Sequence, residues 1–493
     1  MALVPVPGRP GGDPLTQGPV RPSLELAQLR HGARLTLPDL EPRVADVLRR
    51  LGQEGHEAAL VGGSLRDLLL FGVVSGPDWD VATSAHPEVV ARLFPGSTWE
   101  NRFGTVTVRG DPPVEVTTYR GESGYSDRRR PDEVRFGVSL HDDLARRDFT
   151  INALAWVPAD AALREGRLVD PWRGVVDLRL RVLRAVGEAE ARFGEDALRL
   201  LRAVRFAAAL GLRLDPATES ALRRLAPLAA GVSGERLRDE LKRILRFGRA
   251  AADPPPSTAF RLMEHLGLLG VLLPELAALR GVPQGKALPG DGLDHSLRAM
   301  DAVPPDRVAL RLAALVHDLG KATTFADGHF FGHEEVGARL AAHLLRRLRL
   351  PRAESERIVH LVRHHMFDYR ADWSDAAVRR FIRRVGPEAV PDLLALRRAD
   401  NAASGAADPA LGGLAELEQR VARELRGPIT PERLAVNGHD LQSELGLAPG
   451  PALGRLLGDL FEAVLERPEL NRREVLLDLA RSRLQGERRA TGR

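Results

Sequence analysis

The 493-residue sequence contains no cysteine. That excludes disulfides and thiolate metal sites, and it suits a chain working in the reducing cytoplasm. No run of eighteen apolar residues occurs, so no segment reads as membrane-spanning. The first residues, MALVPVPGRPGGDPLTQGPVRP, lack the apolar core of a signal peptide and read as a disordered lead-in. Lysine is nearly missing: Lys242, Lys286 and Lys321 are the only three among 71 basic residues. Arginine therefore carries the positive charge, which is how a formal net charge of +4 accompanies a pI near 9.9. Its planar, permanently charged fork suits phosphate. An arginine bias also follows from genomic base composition, so charge permits a nucleic-acid partner without demanding one.

What is present is the composition of a soluble globular protein, 44% hydrophobic and 28% charged, long enough for two to four domains. Short β-type runs fall between about Leu35 and Trp156: AALVGG ending at Gly63, WDVAT at 79–83, GTVTVRG at 104–110 and VEVTTYR at 114–120. The last two alternate about a turn signal, Asp111-Pro112-Pro113. From about Arg181 no convincing strand is found, and Leu, Ala and Arg recur at helical spacing nearly to the end. AADPPPST (251–258) reads as a linker and RGVPQGKALPGDG (280–292) as a long loop.

Two local features of the head suggest phosphate chemistry. Gly62-Gly63-Ser64-Leu65-Arg66-Asp67 follows an apolar run and opens a helical pattern. Glycines let backbone N–H groups approach phosphate, a helix N-terminus adds positive potential, and Arg66 can reach an anion. A Gly-Gly turn is also often a plain connection. Asp78-Trp79-Asp80 leads into Val81-Ala82-Thr83, and residues two apart on a strand share a face. Adjacent carboxylates repel unless a cation sits between them, and hard oxygen ligands suit Mg²⁺. The alternative is a solvated turn carrying two acids. Glu115 on VEVTTYR is either a third carboxylate or an exposed edge-strand acid.

Gly-Gly, Arg-Asp and Asp-x-Asp in this order resemble the polymerase-beta-like nucleotidyltransferases. Further elements narrow the likeness: Arg146-Arg147-Asp148-Phe149-Thr150-Ile151-Asn152-Ala153, Asp170-Pro171-Trp172-Arg173-Gly174, Glu195-Asp196-Ala197-Leu198-Arg199 and Glu235-Arg236-Leu237-Arg238-Asp239-Glu240. From about residue 45 to 245 the chain resembles class II tRNA nucleotidyltransferases and bacterial poly(A) polymerases. It departs from their pattern at Trp172-Arg173, where a small or Phe-Gly pair is usual.

The resemblance implies an α+β fold: a small polymerase-beta-like head with a mixed sheet, then a mostly all-α neck, HD domain and tail. It implies catalysis by Asp78, Asp80 and Glu115, the first two holding Mg²⁺. Nucleotide binding falls to Gly62, Gly63, Arg66, Arg147, Asp148, Asn152, Asp196, Arg199, Arg202 and Arg205. Asp196 and Arg199 lie three apart on a strongly helical stretch. They are an ordinary surface ion pair or, as the family implies, the groups that read the incoming base. A carboxylate accepts from the exocyclic amine that C and A share, and a guanidinium donates to ring nitrogen or carbonyl. The loop Gly124-Tyr125-Ser126-Asp127-Arg128-Arg129-Arg130-Pro131 is intact, whereas family members that add only CC look shortened here.

Behind the head, His295, His317-Asp318, His333, His364-His365 and Asp400 cluster at helix ends, with Gly320 placed to end one helix. This series resembles the HD phosphohydrolases. The likeness implies a first divalent metal on His295, His317, Asp318 and Asp400, with His333 and His364 available for a second. Imidazole with carboxylate suits a mid-series metal that lowers the pKa of bound water. Lys321 is placed to meet a phosphate.

The expected organisation is a disordered lead-in over 1–34, head over 35–160, neck over 161–250, HD domain over 259–426 and an Arg-rich helical tail over 427–493. The implied function is cytoplasmic addition of CCA to tRNA from CTP and ATP, with an HD phosphatase or phosphodiesterase activity and no membrane partner. Alternatives are A-only addition or poly(A) polymerase activity, an HD phosphohydrolase whose head only binds RNA, and a silent tRNA chaperone.

Overall fold

The head is built on one mixed sheet whose central strands are buried on both faces, while its strands Thr105–Val108 and Val114–Thr118 alternate buried with more exposed residues. Its strands are β1 (Arg34–Thr36), β2 (Ala58–Val61), β3 (Trp79–Thr83), β4 (Thr98–Glu100), β5 (Thr105–Val108) and β6 (Val114–Thr118). They are followed by β7 (Arg120–Ser123), β8 (Glu133–Phe136), β9 (Ala155–Pro158) and β10 (Glu165–Val169). The computed structural model describes residues 26, 29–72, 79–100, 103–125, 131–248, 253–285, 287–405, 408–427 and 430–491. The eight-stranded sheet runs β1-β10-β9-β2-β3-β6-β5-β4, while β7 and β8 form a separate hairpin. β3 and β6 pair in parallel; the other described pairings in the large sheet are antiparallel. Val106, Val108, Val114 and Val116 are fully buried, which is the alternation that the sequence displays about Asp111-Pro112-Pro113.

Val61 ends β2, and the helix Gly62–Phe71 starts on the next residue. The chain thus turns from strand to helix at the Gly-Gly pair, beside β3.

Two expectations change. Residues 29–34, assigned to the lead-in, are tied into the head: Gly32 N–H donates to Leu168 O at 2.8 Å and β1 pairs with β10. The rest of the lead-in, apart from buried Leu26, lies outside the described residues. Beyond Arg181 the chain is not wholly helical, since Val182–Leu183 pairs in parallel with Arg213–Leu214. Two residues are too few for a strand period to show.

The chain divides into two compact units, 1–277 and 278–493. Helices Ser257–His265, Leu268–Leu272 and Pro274–Ala277 belong to the first. In the second, Gly292–Asp301, Val308–Val316, His333–Arg347, Arg352–His364 and Val390–Ser404 pack on one another. The tail closes a small core of its own around Leu441, Leu460, Val464 and Leu476.

Candidate functional site

β3 and β6 lie in register, with Asp80 opposite Glu115, so both carboxylates stand on one face of the sheet. Asp80 is half-buried and Glu115 exposed. Asp78, two residues earlier, lies outside the described residues. Gly62 takes φ +68° at the mouth of the helix. A Cβ there would sit 3.0 Å from both the Asp80 carboxylate and the Arg147 guanidinium. Backbone, acid and cation therefore converge on one point, as phosphate chemistry requires. Carboxylate oxygens from adjacent strands are a donor set that fits a hard divalent cation.

Arg147 is aimed by Asp143, a fully buried acid that also takes Arg146 at 2.7 Å. Burial works to raise the Asp143 pKa, yet Arg146 and Arg147 hold it below the usual carboxylate range. Sequence reading missed Asp143, because nothing in the pattern separates it from the capping acid Asp142 beside it. Arg146 reaches Glu122 at 3.2 Å, and Glu122 accepts from Tyr125 Oη at 2.5 Å, which ties down the base of the loop after β7. Residues 126–130 of that loop are outside the described set.

Arg66 does not reach out freely. Its guanidinium donates to Asp67 at 2.7 and 2.8 Å and to Asn152 Oδ1 at 2.7 Å. Gly63 lies beside it, with a virtual Cβ 3.5 Å from Arg66. Asn152 in turn donates to Asp148, which binds Arg202 at 2.6 Å. Burial pushes the Asp148 pKa up, but Arg202 and Asn152 outweigh it and hold the group at about 2. Arg205 pairs with buried Glu240 and stacks 4.0 Å over the Phe206 ring, with burial lowering its pKa to about 10. Candidates from three sequence motifs thus form one buried network.

Asp196 and Arg199 do not sit on a common helix face. One helix ends at Glu195, the next starts at Leu198, and Asp196 between them is extended (φ −146°). Asp196 instead holds Arg236 through two bonds of 2.6 and 2.9 Å, and Arg199 pairs with Glu195. The strong helical pattern hid a two-residue break at Asp196-Ala197.

In the second unit, Asp318 stands between two groups of imidazoles. Its Oδ2 lies 3.2 Å from His317 Nε2 and 3.5 Å from His295 Nε2, and His295 is 3.1 Å from Asp400. Its Oδ1 lies 3.5 Å from His333 Nε2 and 3.6 Å from His365 Nε2. His317, His333 and His365 each turn Nδ1 to a backbone carbonyl, at 2.8, 2.8 and 2.6 Å, leaving Nε2 for the centre. That arrangement orients metal-binding imidazoles. Burial opposes the Asp318 charge, but His317, His365 and Lys321 hold its pKa well below the carboxylate range. A buried acid with oxygens facing two imidazole pairs is a donor set that fits divalent metal.

His364, expected here, is turned away and lies 4.4 Å from the His360 ring; the neighbouring His365 takes the place. Successive helical residues differ by about 100°, so only one of two adjacent histidines can face the centre. Lys321 is beside the site, 2.7 Å from Asp318 and 3.0 Å from Gln284 Oε1. Gly320 has φ in the right-handed region and begins the helix Lys321–Thr324 rather than ending one. It is needed for close approach, since a Cβ would lie 2.0 Å from His333 O.

Three family models match: "Poly A polymerase head domain" over residues 58–184, "Probable RNA and SrmB- binding site of polymerase A" over 211–279, and "HD domain" over 290–404. Domains of the head and HD kinds generally use divalent metals. The A-adding tRNA nucleotidyltransferase of Deinococcus radiodurans is 39% identical, over 82% of this chain and 91% of that protein. The CCA-adding enzyme of Anoxybacillus flavithermus is 34% identical, over 88% of this chain and 95% of that protein. Among solved structures, the Bacillus stearothermophilus CCA-adding enzyme in complex with CTP aligns with a TM-score of 0.68 at 30% identity, covering 92% of this chain and 100% of that one. The departure at Trp172-Arg173 leaves the fold intact: Trp172 packs against the head core and lies 6.1 Å from the His141 ring. From head to HD domain, then, the chain belongs to the tRNA nucleotidyltransferases, the family of the CCA-adding and A-adding enzymes.

Proposed function

We propose that this chain rebuilds the CCA 3′ end of tRNA from CTP and ATP in the cytoplasm. The observation that carries the reading is the register of Asp80 with Glu115 beside Gly62 and Arg147. Asp78, Asp80 and Glu115 would hold Mg²⁺, which when bound acidifies the attacking 3′-hydroxyl and neutralises the departing pyrophosphate. The Gly62–Gly63 backbone and Arg147 hold the triphosphate against the sheet. The Arg66–Asn152–Asp148–Arg202 network fixes the wall of the site, with Arg205 and Glu240 behind it. Asp196, set by Arg236, and Arg199, set by Glu195, read the base edge as separately held groups. In this reading the catalytic head runs from about residue 29 through β10, the neck from there to 277, the HD domain from 278 to 426 and the tail from 427 to 493.

A second reading, addition of the terminal A alone, is favoured by one observation. The Deinococcus radiodurans relative, matched over most of this chain, is an A-adding enzyme. One assay separates the two. Transcripts ending at the discriminator base, the first C and the second C are each incubated with CTP, ATP or both. CCA addition extends all three. Extension of the last alone, by A only, establishes the second reading, and no extension of any with Mg²⁺ present removes the transferase reading.

The second unit is proposed as a phosphohydrolase. His295, His317, Asp318 and Asp400 would hold one metal, His333 and His365 with Asp318 a second. A metal held by these residues would supply a bound water of lowered pKa. Lys321 places a cation beside the phosphate. Asp318→Ala is expected to abolish ring opening of a 2′,3′-cyclic phosphate and phosphate release from a 2′-monophosphate while nucleotide addition survives; loss of both the hydrolysis and the addition contradicts independent sites.

A further inference from the structure

Like charges repel, yet three guanidiniums of the first unit gather on one ring. Arg205 stands 4.0 Å from the centre of the Phe206 ring, and Arg66 and Arg202 each stand 5.3 Å from it. Arg202, Arg205 and Phe206 share the helix Leu198–Leu210 of the neck. Arg66 comes from the head helix Gly62–Phe71, which opens at the glycine pair. The ring is thus where head and neck bring their arginines together. A different acid answers each charge: Asp67 for Arg66, Asp148 for Arg202 and Glu240 for Arg205. Those acids lie on separate segments, and the ring is what the three arginines have in common.

Phe206 is held in turn. It is 7% exposed, and its ring meets that of fully buried Phe149 edge to face, with centres 5.8 Å apart at 75°. The face of a phenyl ring is its negative side and attracts cations within about 6 Å, more strongly where water is excluded. Arg66 is buried and the Arg205 side chain nearly so. Arg66 Nη2 lies 3.5 Å from where a Gly63 Cβ would stand. Arg202 binds Asp148 through Nε and Nη2, while its Nη1 is 3.9 Å from Glu240, too long for a hydrogen bond. That N–H retains capacity for a phosphate oxygen.

We propose that Phe206 is a positioning residue for the incoming nucleotide: its ring holds Arg66 and Arg202 together, so that the triphosphate meets a cationic wall already in place beside the Gly62–Gly63 turn. The proposal rests on the transferase reading and adds to it a side chain that touches no substrate. Loss of the ring face lets the guanidiniums separate under their own repulsion, and the nucleotide then has to regather them on binding. The effect falls on nucleotide affinity. It does not fall on kcat, because the same arginines meet the phosphates before and during transfer.

The test replaces Phe206 in the full chain by mono-, di- and trifluorinated phenylalanine, a series that weakens the negative ring face stepwise while nearly keeping its shape. ATP affinity is read by equilibrium dialysis with Mg²⁺ and no RNA. KM for ATP is read on a tRNA transcript ending at the second C, which both readings of the addition extend. Kd and KM are expected to rise together along the series, to about fivefold for the trifluorinated ring, with kcat and melting temperature unchanged. Phe206→Leu, which removes the face altogether, weakens ATP binding at least as much. A flat Kd along the fluorinated series overturns the proposal, and if Phe206→Leu still lowers affinity and melting temperature together, the ring only fills space. A fall in kcat at constant KM also overturns it, since the ring would then act on the chemical step. Should wild type fail to extend the transcript, the transferase reading fails, and the Kd series still decides: a rise upholds the ring's hold on the nucleotide-binding arginines, and a flat line removes it.

Discussion

Asp80 stands directly opposite Glu115 across the parallel pairing of β3 with β6. Strand β6 reaches that position only after the β4–β5 excursion, so two acids 35 positions apart in sequence become neighbours on one face. If both serve the transfer, Asp80→Asn and Glu115→Gln each slow addition at least about a hundredfold, the scale of losing one charge-stabilising group. Glu115 is exposed, so its variant keeps its melting temperature. Single-turnover extension of a tRNA transcript measures the first effect and thermal unfolding the second. Wild-type rates in Glu115→Gln would reassign it as a surface acid.

Gly62 is the contact point of the site. Gly62→Ala meets a positive φ and places a methyl 3.0 Å from both Asp80 and Arg147. Backbone strain there costs about 1–2 kcal/mol, and the two charged groups are pushed apart. A melting-temperature drop of a few degrees should accompany a loss in kcat of tenfold or more. An unchanged kcat would show that the approach of Arg147 to Asp80 is irrelevant to transfer.

Asp148 offers a pH test. Its folded pKa of about 2 lies below the ordinary aspartate value of 3.8, so its pairing stabilises the fold above pH ~4. That contribution, roughly 2 kcal/mol, is lost as pH falls from about 4 toward 2. Asp148→Asn leaves the half-buried Arg202 with only Glu240, 3.9 Å away. Denaturant unfolding at pH 7 should find the variant destabilised by about 2 kcal/mol. The gap should close as pH approaches 2, and a pH-independent gap would assign the effect to packing.

The adjacent histidines make opposite predictions. His365 turns Nε2 to Asp318 whereas His364 faces His360. His365→Ala should bind one divalent ion fewer per chain by elemental analysis, and His364→Ala none fewer. Stripping metal with a chelator should lower the melting temperature of wild type more than that of His365→Ala, since ligands that bind only the folded state stabilise it. A metal loss caused by His364→Ala instead would invert the assignment.

The strands on either side of Asp111-Pro112-Pro113 were legible, because a half-buried strand alternates on a two-residue period. The histidine series was legible by residue type, since His and Asp are unusual on leucine-rich helices. Its last member was not: His364 and His365 are chemically identical in the sequence, and only packing of Arg352–His364 on its neighbours decides which ring faces inward. Asp196 and Arg199 show the converse error. Their helical spacing is real in the letters, but the chain breaks between Glu195 and Leu198, and Arg236, forty residues on, takes the carboxylate.

By itself the sequence determined a head of short strands, the helical remainder, the glycine turn before a helix and the types of ligand at both sites. Those follow from local periodicity and side-chain chemistry, which act over a few residues. Only the tertiary structure decided that Asp80 meets Glu115, that Asp143 aims Arg147, that Asp318 is shared between two imidazole pairs, and that Asp196 belongs to Arg236. Each of these is a pairing between distant segments, set by strand register and helix packing, and residue order alone does not encode which faces come together.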